Sequence, residues 1–209
     1  MGLRERKKQQ TRELLAATAR RLFTERGFER VSVAEIAREA DVSEKTVFNY
    51  FPTKEDLVYW RLETFEEELL EAIRSRAAGE SVLDAFVRFV SAPRGMLASP
   101  DEDTRERLAA LSRMIAASPA LLAREQQIFA GYTDSLAALL AVETDTSGIE
   151  PWVAANALMG VHRALVAFAR ERIVEGARAP ELAGEVRAEA DRALVRLHEG
   201  FGAYGVKEP

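Results

Sequence analysis

Ser32-Val33-Ala34-Glu35-Ile36-Ala37-Arg38-Glu39-Ala40-Asp41-Val42-Ser43-Glu44-Lys45-Thr46-Val47-Phe48-Asn49-Tyr50-Phe51 is the stretch from which the fold is read. Ser32 and Glu35 stand in the Ser-x-x-Glu spacing of a capping box, so a helix begins at Val33 and runs to about Ala40. Asp41 follows where a tight turn needs a residue that tolerates left-handed backbone. Ser43 caps a second short helix, from Glu44 to about Phe51, and Pro52 stops it. Two short helices joined at Asp41-Val42-Ser43 have the dimensions of a helix-turn-helix, whose second helix can lie in the major groove of duplex DNA.

Side-chain direction supports that reading. Val47 and Phe51 are i,i+4 partners that face a core with Ile36, Ala37 and Val42, which leaves Lys45, Phe48 and Asn49 as an outward stripe. In a groove, Lys45 would donate to guanine, Asn49 would pair with adenine or a phosphate, and Phe48 would contact a thymine methyl. Glu44 would accept from a cytosine amine or simply favour the helix dipole. Ser43, Thr46, Tyr50 and Lys54 are placed to hold backbone phosphates. The alternative is that Phe48 packs inward and its two polar neighbours are merely solvated.

Working outward, Leu15, Ala19, Leu22 and Phe23 recur at helical spacing between Lys8 and Arg26, and Gly27 ends that helix. Beyond Pro52, Thr53 offers a cap for a long amphipathic helix from Lys54 to about Ala77 with no break of its own. Further helical segments are expected near Ser81 to Ala92, Asp103 to Ala116, Ala120 to Glu143, Ile149 to Gly176 and Glu181 to Tyr204. Breaks are expected at Pro93-Arg94-Gly95, Ser99-Pro100, Ser118-Pro119, Thr144 to Gly148 and Pro180, and a frayed end at Gly205 to Pro209. The expected fold is all-α with about nine helices. Residues 1–56 form the helix-turn-helix domain and 57–209 a larger second domain.

Composition agrees: of 209 residues only 12 are Gly and 7 Pro, low for an all-β chain. The absence of cysteine excludes disulfides, thiolate metal sites and a Cys nucleophile. The start, Met1-Gly2-Leu3-Arg4-Glu5-Arg6-Lys7-Lys8, has no apolar leader core, and the apolar run from Leu136 to Val142 is too short for a bilayer, so no membrane and a cytoplasmic location are expected. Position 6 is Arg6, which rules out a myristoylation motif. The net charge of −5 is uneven: Met1 to Arg30 holds nine Lys/Arg against four Asp/Glu, and the remainder twenty against thirty. A basic end on an acidic body suits a polyanion met on one face. Enzyme motifs are missing. His162 and His198 are the only histidines, there is no Gly-rich phosphate loop or HExxH, and Glu66-Glu67-Glu68 do not converge on one point. No cofactor and no metal are expected.

Phe23-x-x-x-Gly27, then Ser32-Val33-x-x-Ile36-Ala37-x-x-Ala40-x-Val42-Ser43-x-x-Thr46-Val47-Phe48-x-Tyr50-Phe51-x-x-Lys54-Glu55-x-Leu57, resembles the DNA-binding domain of the TetR family of bacterial transcriptional regulators. The resemblance spans roughly residues 8 to 57 without a gap. It implies a homodimeric, all-helical repressor of a double-stranded operator, whose C-terminal domain binds a small-molecule effector and dimerises through its last two long helices. The family pattern usually has Gly where Asp41 stands, a small residue near Lys45 and Tyr where Phe48 stands, so the base preference is not transferable.

The larger half is similar to a TetR branch that senses acyl-CoA-like effectors. Its candidate ligand-lining residues are Phe86, Phe89, Met114, Phe129, Trp152, Asn156, Met159, His162 and Arg163, against the alternative that the apolar ones fill a core. Asn156 and Arg163 are seven apart, on one side of one helix, where a buried charge would need an anionic partner. Ala154, Leu158, Val161, Leu165 and Phe168 form one apolar stripe, and Val186, Ala190, Leu197 and Phe201 another. Paired across two chains they would make a four-helix dimer interface; otherwise they close the monomer core. Three functions compete: a ligand-released repressor, a DNA-binding regulator controlled by a protein partner without a ligand, and an all-helical acyl or lipid carrier.

Overall fold

Gly27 has φ +82°, and its N–H donates to the Phe23 carbonyl at 2.8 Å, so the first helix stops at the glycine. The computed structural model describes residues 2–60, 62–92, 102–146, 148–177 and 179–201. Among these there are ten helices and no strand: α1 Leu3–Arg26, α2 Val33–Glu39, α3 Glu44–Tyr50, α4 Asp56–Tyr59, α5 Leu62–Arg74, α6 Val82–Ser91, α7 Glu102–Ala117, α8 Pro119–Glu143, α9 Glu150–Val174 and α10 Ala179–Phe201. The expected breaks at Pro93-Arg94-Gly95 and Ser99-Pro100, and the end from Gly205 to Pro209, lie outside the described residues.

The tenth helix arises because the stretch expected as one helix from Lys54 to Ala77 is described in two pieces; Trp60 between them keeps right-handed helical backbone, and residue 61 lies outside the described residues. α4 ends at Tyr59, and α5 begins only at Leu62. The short α4 is tied down by the local cap expected at Thr53 and by two bonds distant in sequence. Thr53 N–H donates to the Asp56 carboxylate at 2.9 Å, Arg124 Nε donates to the same carboxylate at 2.8 Å, and the Tyr59 hydroxyl donates to the Leu121 carbonyl at 3.0 Å.

The chain divides into two compact units, Met1–Glu63 with Arg113–Glu125, and Thr64–Ser112 with Gln126–Pro209. In the first, Leu15, Ala19, Leu22 and Phe23 of α1 are buried with Ile36, Ala37, Val47, Phe51 and Leu57. Phe23 and Phe28 meet edge to face, with ring centres 5.1 Å apart. The Ser118 hydroxyl donates to Glu29 at 2.6 Å, tying the α7–α8 corner to the α1–α2 connection.

In the second unit, Ser81 caps α6 by accepting the Asp84 N–H at 3.1 Å, and Phe86 and Phe89 are buried behind it. Ala169 and Ile173 of α9 pack on Leu182 of α10, with Leu108 and Val186 alongside. Arg172 Nε and Nη2 donate to the two oxygens of Glu185 at 2.7 and 3.0 Å, a forked pair that pins the same two helices. Arg76 is 3% exposed, donates to the Ile73 carbonyl at 2.7 Å and pairs with Glu143. Among the described helices α9 is by length and composition apolar enough to cross a membrane; here it packs against α10.

Candidate nucleic-acid interface

The α2–α3 pair is built by its caps. Glu35 N–H donates to Ser32 Oγ at 3.2 Å, and Ser32 N–H donates back to Glu35 at 2.8 Å, the reciprocal capping box. Arg26 adds a 2.6 Å ion pair to the same carboxylate. The Ser32 N–H, then Arg26, then the Ser32 hydroxyl hold the Glu35 carboxyl down at about 2. The cap is therefore intact above the ordinary carboxylate range and is lost as pH falls toward that value. Arg21 similarly bonds Glu39 and Glu25, so the charges at the C-terminal end of α1 are matched to those of α2.

Asp41 has φ +54°, the left-handed turn residue expected, and Val42 N–H donates to the Ala37 carbonyl at 2.9 Å across the corner. Ser43 Oγ then accepts the Thr46 N–H at 3.1 Å and bonds the Thr46 hydroxyl at 2.8 Å, which starts α3. On this helix Val47 and Phe51 are each 1% exposed while Phe48 is 46% exposed. Glu44, Lys45 and Asn49 are exposed, so the outward face of α3 carries the four residues to which base reading was assigned. A phenylalanine ring held half in water beside Lys and Asn has no packing reason within the chain.

The four phosphate candidates differ more among themselves. Ser43 is exposed and Thr46 and Tyr50 half-buried, with the two hydroxyls engaged in the cap. Lys54 is half-buried, its ammonium 4.0 Å from the centre of the Phe28 ring and 6.0 Å from that of Phe23. Phe28 thus places the cation, a contact the motif alone does not show. Arg12 plays the matching part at the other end: its guanidinium lies 5.5 Å from the Phe51 ring centre, where α3 ends.

The second-unit candidates do not converge. Phe86, Phe89, Phe129 and Met159 are buried, but Trp152 is 55% exposed. Arg163 is exposed, so the buried charge expected of its register with Asn156 is corrected. The Asn156 amide donates to the Trp152 carbonyl of its own helix at 2.8 Å. Met114, half-buried, belongs to the first unit. What does gather is an aromatic cluster. Phe65 stacks on His162 at 4.5 Å, Phe129 meets that imidazole edge-on at 5.4 Å, and Tyr132 stacks on Phe65 at 5.6 Å. Phe65 and Tyr132 were missed by sequence reasoning. Tyr132, one turn after Phe129, was the available signal.

Burial pushes the His162 imidazole down to about 4. The unfolded chain therefore binds a proton that the folded one refuses, and stability present above the ordinary histidine range is lost as pH falls toward that value. The expected loss between about pH 6.5 and 4 is on the order of 2–3 kcal/mol. Urea melts across that range check it: His162→Phe should flatten the fall, and an equal fall in the variant would contradict the assignment.

The dimer candidates also sort by burial. Ala154, Leu158, Leu165 and Ala190 are buried within the single chain, and Val161, Phe168, Val186 and Leu197 are half-buried, while the Phe201 side chain lies outside the described residues. Packing inside the monomer already uses most of both stripes. On α9 the more open face carries Val153, Ala157, Gly160, Ala164 and Ala167, alternately four and three apart, with Val174 seven residues further on.

With this geometry in place, the profile of bacterial regulatory proteins of the tetR family matches residues 15–59. Residues 15–59 are a TetR-family segment. A transcriptional regulator of Streptomyces glaucescens, TcmR, is 36% identical over 85 residues, which are 41% of this chain and 38% of that protein. The chain thus spans well under half the length of that curated relative. Two solved structures share the whole fold. NalD, the secondary repressor of the MexAB-OprM multidrug efflux pump in Pseudomonas aeruginosa, has TM-score 0.55 at 20% identity over 88% of this chain and 97% of its own. SmeT in complex with triclosan has TM-score 0.53 at 20% identity, covering 90% of each chain. Against the TetR pattern, Asp41 performs the left-handed turn that family members give to Gly, and Phe48 presents a ring without the phenolic hydroxyl.

Proposed function

We propose that this chain is a transcriptional repressor that binds a pseudo-palindromic operator as a homodimer in the bacterial cytoplasm and is released by a small ligand. The observation that carries the reading is the division of α3, with Val47 and Phe51 buried and Lys45, Phe48 and Asn49 turned outward. One two-turn helix reads too few base pairs for useful specificity, so two copies are needed, spaced by about 34 Å or a multiple of it. The open face of α9 suits that pairing. A Cβ at Gly160, or at Gly184 on α10, would meet nothing within 4 Å in its own chain, which leaves room for a second helix to approach.

Repression is supported by likeness to NalD, and ligand release by likeness to SmeT, which binds triclosan in its solved complex. The aromatic cluster around His162 suits an apolar or acyl-CoA-like effector. A second reading draws on the ring-on-ring packing of Phe65, Phe129, Tyr132 and His162: control by a docked protein, with no small ligand.

Selection of bound sequences from random duplex DNA, light scattering of the complex, and titration with triclosan and an acyl-CoA test the proposal in turn. Enrichment of a two-fold sequence by two chains, released by a ligand that also binds the free protein, is expected. Ligand binding that leaves DNA affinity unchanged would overturn the release step. No duplex binding in dilute salt would overturn the regulator and leave the carrier.

A further inference from the structure

α1 begins well before the core does. Its buried residues start at Leu15, yet the helix extends back to Leu3, and that overhang carries Arg4, Arg6, Lys7 and Lys8 against a single acid, Glu5. All four cations are exposed. Downstream on the same helix, Arg21 and Arg26 are held in ion pairs with Glu39 and Glu35. Among the described residues the four overhang cations have no such carboxylate partner. Fixing four positive charges within two helical turns without matching counter-charge is self-repulsive, and it is relieved by an anionic surface.

Placement says which surface. The helical repeat puts Arg4 and Lys8 on the same side of α1 as Arg12, Leu15, Ala19 and Phe23, the side that packs on the helix-turn-helix. Arg12 lies over the ring of Phe51, the C-cap of α3. Arg4 lies two turns before Arg12 on that side, about 12 Å back at the helical rise. The overhang therefore extends the side of α1 whose Arg12 meets the C-cap of α3, the helix to which base reading is assigned.

We infer that the first two turns of α1 are a second DNA-contacting element, with Arg4, Arg6, Lys7 and Lys8 holding the phosphate backbone flanking the bases that α3 reads. The inference rests on the DNA-binding reading above and adds a footprint longer than the one α3 makes. Phosphate contacts add affinity and salt dependence without base preference.

The test compares the full-length chain with a variant carrying Arg4→Gln, Arg6→Gln, Lys7→Gln and Lys8→Gln. The probes are a duplex selected by the wild-type chain, with long flanks, and the same duplex trimmed to the selected core. Helicity and melting temperature confirm that the variant folds, since none of the four residues is in the core. The wild type should lose affinity on trimming and the variant should not. The log–log salt slope should become shallower by about 3–4 per bound chain, a difference of about a hundredfold in affinity lost between roughly 50 and 200 mM salt, with the ranking of sequences unchanged. An unchanged slope and an unchanged response to trimming would overturn this inference alone. Failure of the wild type to bind any duplex would overturn the DNA reading with it. Should the quadruple variant melt early, Lys7→Gln with Lys8→Gln should show about half the change in slope, and no change there would count against the inference equally.

Discussion

A chain in which Lys45 and Asn49 are both alanine will keep its fold and its general attraction to duplex DNA but lose most of its preference for the selected sequence. Both side chains are exposed on α3, so their removal empties no core position, and Val47 and Phe51 still seat the helix. Each well-aligned contact to a base edge contributes about 1–3 kcal/mol of discrimination, roughly tenfold to a hundredfold per contact in each half-site. Lys54→Ala should behave differently. Its ammonium rests on Phe28 and meets no base in this reading, so the loss should be similar for all sequences and the salt slope shallower by about one per chain. Some thermal stability should go with it, on the order of 0.5–1 kcal/mol for the lost ring contact. Competition binding against scrambled duplexes separates the two. Equal relaxation of preference in both variants would contradict the division of roles.

Arg76→Ala should be the most destabilising of the charge removals, at about 3–5 kcal/mol, because it strips a buried partner from Glu143 and the donor from the Ile73 carbonyl. The side chain of Glu143 keeps 19% of its exposure, which places the expectation toward the lower end. For a protein of ordinary stability, that is a large share of the total. The midpoint of denaturation should fall with little change in slope. Adding Glu143→Gln should recover part of the loss, since the stranded charge is then gone. A variant with an unchanged midpoint would show that the pair contributes nothing to the fold.

The legible parts of this protein are those specified by neighbours in sequence. Ser32 with Glu35, Asp41, Ser43 and Gly27 act within a few residues of themselves, and each does in the fold what its chemistry suggests. The orientation of α3 was legible for the same reason, since two turns of helix with Val47 and Phe51 on one side leave only one way for Lys45, Phe48 and Asn49 to point. Elsewhere the deciding contacts are distant in sequence. The seating of α4 rests on bonds between Asp56 and Arg124 and between Tyr59 and Leu121. Register on α9 groups Asn156 with Arg163 but does not say that the latter meets water. The stripe through Leu158 and Leu165 was expected at a dimer interface, with a monomer core as the alternative, and spacing alone does not say that both side chains are buried within the single chain. Phe65 joins Phe129 and His162 across three helices, a grouping no local spacing announces.

The most direct measurement is to replace Phe48 with a photo-crosslinking phenylalanine analogue, irradiate the full chain on its selected duplex, and map the adduct. The account predicts a covalent link to a base within each half-site. A complex that forms with full affinity but crosslinks only to protein, or only outside the selected sequence, would contradict it.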